Sequence, residues 1–106
     1  MKDYTNYSLL TYNTFGMDVK AARFVEYESV NELLCFLKEW KAQKTPLLHV
    51  GRGSNLLFVS DYQGTVLHSG IKGMQVVSET DEWVEIRVGA GEVWDAFVDY
   101  TVKQGW

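Results

Sequence analysis

Residues 23–50, RFVEYESVNELLCFLKEWKAQKTPLLHV, decide the fold. The opening run, residues 23–27, is rich in aromatic and β-branched side chains, long enough for one strand and too short for an ordinary helix. Ser29, Val30, Asn31 and Glu32 then spell a capping box, in which Ser29 accepts from the Glu32 amide while the Glu32 side chain reaches back. From that cap Val30, Leu33, Leu34, Leu37 and Trp40 recur at three- and four-residue spacing, with Glu32, Lys38, Glu39 and Lys41 left for solvent. The spacing predicts a helix to about Gln43. Lys44, Thr45 and Pro46 break it, and the apolar residues 47–50 predict a short buried strand. The unit reads β-α-β.

Outward from this unit the chain continues in short pieces. The compact stretch 51–55 separates the second strand from another apolar run, residues 56–59, which reads as a strand. Asp61, Gln63 and Gly64 form a turn before a further strand at 65–68. Residues 74–78 and 83–88 predict a hairpin with one buried face, since Val84, Ile86 and Val88 alternate with Trp83, Glu85 and Arg87. Gly89, Ala90 and Gly91 lead into a second helix, with Glu92 at its positive end and Trp94, Phe97, Val98 and Thr101 along one face. Gln104 and Gly105 stop it. The fold class is α+β: a β-α-β-β subdomain over residues 1–70, and the beginning of a second α+β subdomain, incomplete, over residues 71–106.

Composition agrees with a globular chain. Of 106 residues 46% are hydrophobic and 14% aromatic, with one proline, enough for one modest core. A net charge of −4 with scattered lysines and arginines offers no stripe for a phosphate backbone, so nucleic acid is not an expected partner. No run of about eighteen apolar residues occurs, and the amino-terminal residues lack a basic region followed by an apolar one. No membrane partner is expected, and the location expected is cytoplasmic. The single cysteine, Cys35, reads as a small buried hydrophobe in a reducing compartment.

Gly51, Arg52, Gly53, Ser54 and Asn55, directly after an apolar strand, are the most suggestive chemically. Two glycines let successive backbone amides aim into one concavity, and such a nest binds anionic oxygens. Ser54 and Asn55 add donors and Arg52 adds charge, so a pyrophosphate is a suitable guest. Leu56 stands where a dinucleotide fingerprint has its third glycine, and the following run is not helical, so this is no Rossmann loop. The lysine and hydroxyl ending of a triphosphate P-loop is also missing. Taken alone, such residues more commonly make a turn; the ligand reading rests on their context.

That context is three segments in order: Tyr12, Asn13, Thr14, Phe15, Gly16; then Gly51 to Asn55 with Leu56 and Leu57; then Val88, Gly89, Ala90, Gly91, Glu92, Val93, Trp94. With Asp61 to Val66 between them, the set resembles the first third of the UDP-N-acetylenolpyruvoylglucosamine reductase family, over nearly the whole chain. The resemblance implies an FAD-binding fold of the class shared with vanillyl-alcohol oxidase, FAD lying between two α+β subdomains. It implies that Gly51, Arg52, Gly53, Ser54, Asn55 and Leu56 meet the FAD pyrophosphate. It also implies an oxidoreductase of peptidoglycan synthesis: NADPH reduces FAD, which passes a hydride to the enolpyruvyl group of UDP-N-acetylglucosamine enolpyruvate, giving UDP-N-acetylmuramate. The family's acid, a serine helped by an arginine and a glutamate, lies in sequence beyond Trp106, as do its second glycine-rich FAD segment and substrate domain. No catalytic residue is therefore assigned, and the chain by itself is expected to be inactive. An apolar face awaiting the missing half would favour self-association.

Structural readings stand beside these. Asn13 to Gly16 either close a turn or touch a flavin, and Gly89 to Gly91 make a strand-to-helix turn. His49 and His68 lack metal-ligand spacing and read as structural; Trp40 and Trp94 read as core. The acidic residues Glu79, Asp81, Glu82 and Glu85 read as solvated charge at a hairpin turn. A non-catalytic nucleotide- or partner-binding α+β domain is the alternative function, and a ligand-free module is a third.

Overall fold

The computed structural model describes residues 1–13, 15–51 and 57–106. Among them the chain forms β1 (Lys2–Ser8), a 3₁₀ turn (Leu10–Tyr12), β2 (Lys20–Tyr27), α1 (Val30–Gln43), β3 (Leu47–Val50), β4 (Tyr62–Ser69), β5 (Met74–Glu79), β6 (Val84–Val88) and α2 (Trp94–Lys103). The β-α-β reading of residues 23–50 corresponds to β2, α1 and β3. At the start of α1, Ser29 Oγ accepts from the Glu32 amide at 3.1 Å, and Glu32 Oε2 accepts from the Glu28 amide at 2.6 Å. At its end Lys44 takes a left-handed conformation, φ 54°, and donates its N–H to the Trp40 carbonyl at 2.8 Å.

β1, β2, β4 and β3 lie side by side in that order, with β2, β4 and β3 parallel and β1 antiparallel to β2. The pairing Phe24↔Val66 beside Val25↔Leu67 shows how alternation builds two cores on one sheet. Phe24 and Val66 join Leu9 and Val50 on one face, packed by Tyr7, Tyr12 and Phe58. Val25, Tyr27 and Leu67 join Phe36 on the other, where α1 adds Leu33, Leu37 and Trp40. Coverage of both faces is what a parallel sheet requires. At about 25 cal/mol per Å² of apolar area, each of these fully buried side chains contributes on the order of 2 kcal/mol.

Several expectations are corrected. Leu57 to Val59 do not form a strand: Leu57 is 64% and Val59 92% exposed, and only Phe58 turns back onto the core; Leu56 lies outside the described residues. The inward stripe of α1 is Leu33, Phe36, Leu37 and Trp40, and Cys35, one position off it, is exposed together with Val30 and Leu34. Trp94 is 71% exposed and is not core. Strand β1, with the polar sequence KDYTNYS, has no apolar alternation to announce it. It is held by ladder pairing to β2, by Asp3 on Arg23, and by Tyr4 stacked on Tyr7.

β5 and β6 pair antiparallel, with Met74 opposite Val88. Val84, Ile86 and Val88 are half-buried and alternate with exposed Glu85 and Arg87 as expected, but no residue of either strand, nor of α2, is fully buried. The inward face of the hairpin has the right pattern without a complete cover.

Candidate cofactor cleft

Parallel sheets offer a ligand site outside the carboxyl ends of their strands. Here β2, β4 and β3 end at Tyr27, Ser69 and Val50, and a cleft of about 240 Å³ opens beside those ends. Thr11 and Tyr12 of the 3₁₀ turn form one wall; Glu26, Gly51, His68 and Ser69 line the strand ends; Ala90, Gly91 and Glu92, from the turn before α2, form the opposite wall. Whole small-molecule pockets run to roughly 300–1,000 Å³, so the cleft suits part of a dinucleotide.

The turn before α2 is stitched to the chain leaving β4. Gly91 donates to the Ile71 carbonyl at 2.8 Å, Gly89 to the Gly73 carbonyl at 2.9 Å, and Lys72 Nζ to the Gly91 carbonyl. A Cβ on Gly89 would stand 2.3 Å from the Ile71 oxygen, and one on Gly91 2.7 Å from the Ser69 oxygen. These two glycines are there because one backbone lies directly on another, which gives the strand-to-helix turn its physical content. Gly51 is different. Among the described residues nothing lies within 4 Å of where its Cβ would be, and it borders the cleft. Arg52, Gly53, Ser54, Asn55 and Leu56, the remainder of the suggested loop, lie outside the described residues.

The cleft floor carries charge. Glu26 faces Lys2 Nζ at 3.3 Å and His68 Nε2 at 3.6 Å, while His68 Nδ1 lies 3.1 Å from the Val50 carbonyl. Ser69, almost fully buried, accepts at its hydroxyl from the Ile71 amide at 3.2 Å. The hydroxyl of Ser69, the ammonium of Lys72 and the backbone at Gly51 are groups suited to the ribose and phosphate oxygens of a dinucleotide. Sequence reasoning missed Tyr12, Glu26, His68 and Lys72 as cleft residues. The ends of three parallel strands would have pointed to Glu26 and His68; Tyr12 arrives through the 3₁₀ turn, which has no periodic signal.

Asn13 belongs to the loop and not to the cleft. Its Nδ2 donates to the carbonyls of Leu9 and Met17 at 2.8 and 2.9 Å, and its Oδ1 accepts from the Met17 amide at 3.0 Å. The amide is thereby used up in pinning residues 9–17, which favours the turn reading; Phe15 is 60% exposed, and Thr14 lies outside the described residues. His49 pairs with the Tyr27 hydroxyl at 2.9 Å on the opposite face of the sheet. Among the described residues no three His, Cys, Asp or Glu gather as metal ligands, and no helix is long and apolar enough to cross a membrane.

A UDP-N-acetylenolpyruvoylglucosamine reductase of Bacteroides fragilis is 57% identical over 100 residues, 94% of this chain and 30% of the relative. Proteins of the same name from Escherichia coli K12 and Flavobacterium johnsoniae are 43% and 41% identical over 100 and 102 residues, 94% and 96% of this chain. The chain thus spans about 30% of the length of the curated relatives it matches. The family model described as FAD binding domain matches residues 21–106, from within β2 through α2, a span that includes the strand ends and the turn before α2 that line the cleft, and the chain belongs to that FAD-binding family.

Proposed function

We propose that this chain is the amino-terminal, FAD-cradling portion of a flavin-dependent, NADPH-consuming reductase that converts UDP-N-acetylglucosamine enolpyruvate to UDP-N-acetylmuramate in peptidoglycan synthesis. The observation that carries the reading is the cleft at the carboxyl ends of β2, β4 and β3, bordered by Gly51, in a chain of the FAD-binding family. The names of relatives 41–57% identical over nearly the whole chain support the choice of reaction. Bound FAD would supply hydride transfer; the chain's own part is to hold the nucleotide and exclude water around it. Gly51, Arg52, Gly53, Ser54, Asn55 and Leu56 are proposed to meet the pyrophosphate, and no residue of the chain is assigned a catalytic role.

In this reading residues 1–70 form the first FAD-binding subdomain, and residues 71–106 begin the second. NADPH and the UDP-sugar are partners of the full-length protein, which works in the cytoplasm. The test is Gly53→Val in that protein. If the loop backbone meets the pyrophosphate as proposed, a branched side chain at residue 53 would hold it away, so the purified variant is expected to be colourless. A yellow, fully loaded Gly53→Val protein overturns the assignment of the loop.

A further inference from the structure

We infer that His68 is a positioning residue of the cleft: its imidazole ties the last carbonyl of β3, one residue before Gly51, to the carboxylate of Glu26 on β2. The inference rests on the cofactor reading of the cleft and adds a residue to it.

A carbonyl oxygen only accepts, so the 3.1 Å contact between His68 Nδ1 and the Val50 oxygen puts the proton on Nδ1. Nε2 is thereby aimed at Glu26 Oε1, 3.6 Å away, an ion-pair distance when the ring is protonated. The ring has little freedom to leave this position. It meets the Tyr12 ring in a T-shaped arrangement, centroids 5.0 Å apart, and the Phe24 ring lies at 6.3 Å. The side chains of His68 and Glu26 are only 13% and 15% exposed, and a polar group so covered is costly to leave without its partner.

The placement matters because Val50 is already bonded into the ladder against β4, and its carbonyl is where the chain turns out of the sheet into the cleft. Fixing that oxygen fixes the plane of the Val50–Gly51 peptide, and with it the direction in which the Gly51 amide points. His68 would not need to touch the cofactor. Its effect would pass through one peptide plane.

The experiment compares two amides in the full-length protein. In His68→Asn, Nδ2 falls near the place of Nδ1 and can still donate to Val50. In His68→Gln, the donor falls near the place of Nε2, so Glu26 keeps a partner and Val50 loses one. FAD affinity is read by quenching of flavin fluorescence on titration into the apoprotein, and backbone exchange at Gly51 by hydrogen–deuterium exchange without FAD. His68→Asn is expected to bind FAD within about threefold of wild type, and His68→Gln about tenfold more weakly, as for loss of one partner of a covered polar group. Exchange at Gly51 should accelerate in His68→Gln alone. Equal FAD affinities in the two variants, or unchanged exchange at Gly51 in His68→Gln, overturn the inference. Should wild type itself not bind FAD, the cofactor reading fails, and the exchange comparison still decides whether His68 positions the peptide.

Discussion

Arg23 shows how a single side chain can join layers. Its guanidinium grips both oxygens of Asp3, at 3.0 and 2.7 Å, reaches Glu39 of α1 at 3.2 Å, and lies 5.3 Å from the centre of the Phe36 ring. The hydrogen bonds from Arg23 hold the Asp3 carboxyl below its ordinary value of 3.8. A carboxylate depressed in the folded state adds stability that is complete above the unfolded value and lost as pH falls through the folded one. Asp3→Asn is therefore expected to lower the urea midpoint at pH 7 and to converge on wild type as the pH is taken down through the depressed folded-state value. A difference that persists in acid would mean that the carboxylate is not its source. Gly91 is the other residue whose role is sharply defined. Gly91→Ala would drive a methyl against the Ser69 and Gly70 backbone, neither of which can swing aside, and a loss of about 1–3 kcal/mol in denaturant unfolding is expected, as for overpacking. Sequence alone could place Gly89, Ala90 and Gly91 in a turn. It could not show which backbone they press on, because that contact joins residues some twenty positions apart.

The elements that read well in sequence are those whose signal is local. Helix α1 carries its start in Ser29 and Glu32, where the capping box puts it, and of its expected stripe Leu33, Leu37 and Trp40 face inward while Val30 and Leu34 are exposed. Cys35 was misplaced because Leu33 and Leu34 beside it looked uniformly apolar, while the true stripe continues through Phe36. The run around Leu57 has the composition of a strand, yet the described part of it passes over the surface, since composition does not reveal whether a pairing edge is available. Strand β1 failed the other way: polar residues form a strand there because β2 offers an edge. The cleft was half legible, through the glycine stretch after β3; Glu26 and His68 needed the strand order. The end of α1 yields a prediction of its own. Lys44 holds φ 54°, a conformation that costs an L-residue about 1–2 kcal/mol, part of which glycine returns through its freer unfolded chain. Lys44→Gly should raise stability by roughly 0.5–1 kcal/mol, seen as a melting point about 2–6 °C higher; a lower melting point would show that the lysine side chain contributes more than the strain removes.

At the scale of the whole molecule, the two sheets differ in completeness. The four-stranded sheet is covered on both faces, whereas α2 presents Trp94, Val98 and Val102, at 71%, 40% and 65% exposure, as a stripe at four-residue spacing. Trp83 of the hairpin turn is 52% exposed and Trp106 40%. Contiguous apolar surface of this kind drives association, so the 106-residue chain is expected to show a sedimentation coefficient that rises with concentration. The double variant Trp94→Lys with Val102→Lys should abolish that rise; a wild-type coefficient independent of concentration would show that the stripe is tolerated in water. The strand order has a consequence for synthesis as well. β4 lies between β2 and β3, both of which precede it in the chain. A nascent chain that has emerged only through β3 holds two strands whose shared neighbour is still inside the ribosome, with the pairing edges of Phe24 and Leu48 open to any other strand nearby. The central sheet can close only after Ser69 has cleared the exit tunnel, so the hazardous interval during translation is the passage from Val50 to Ser69, and a pause there would lengthen it.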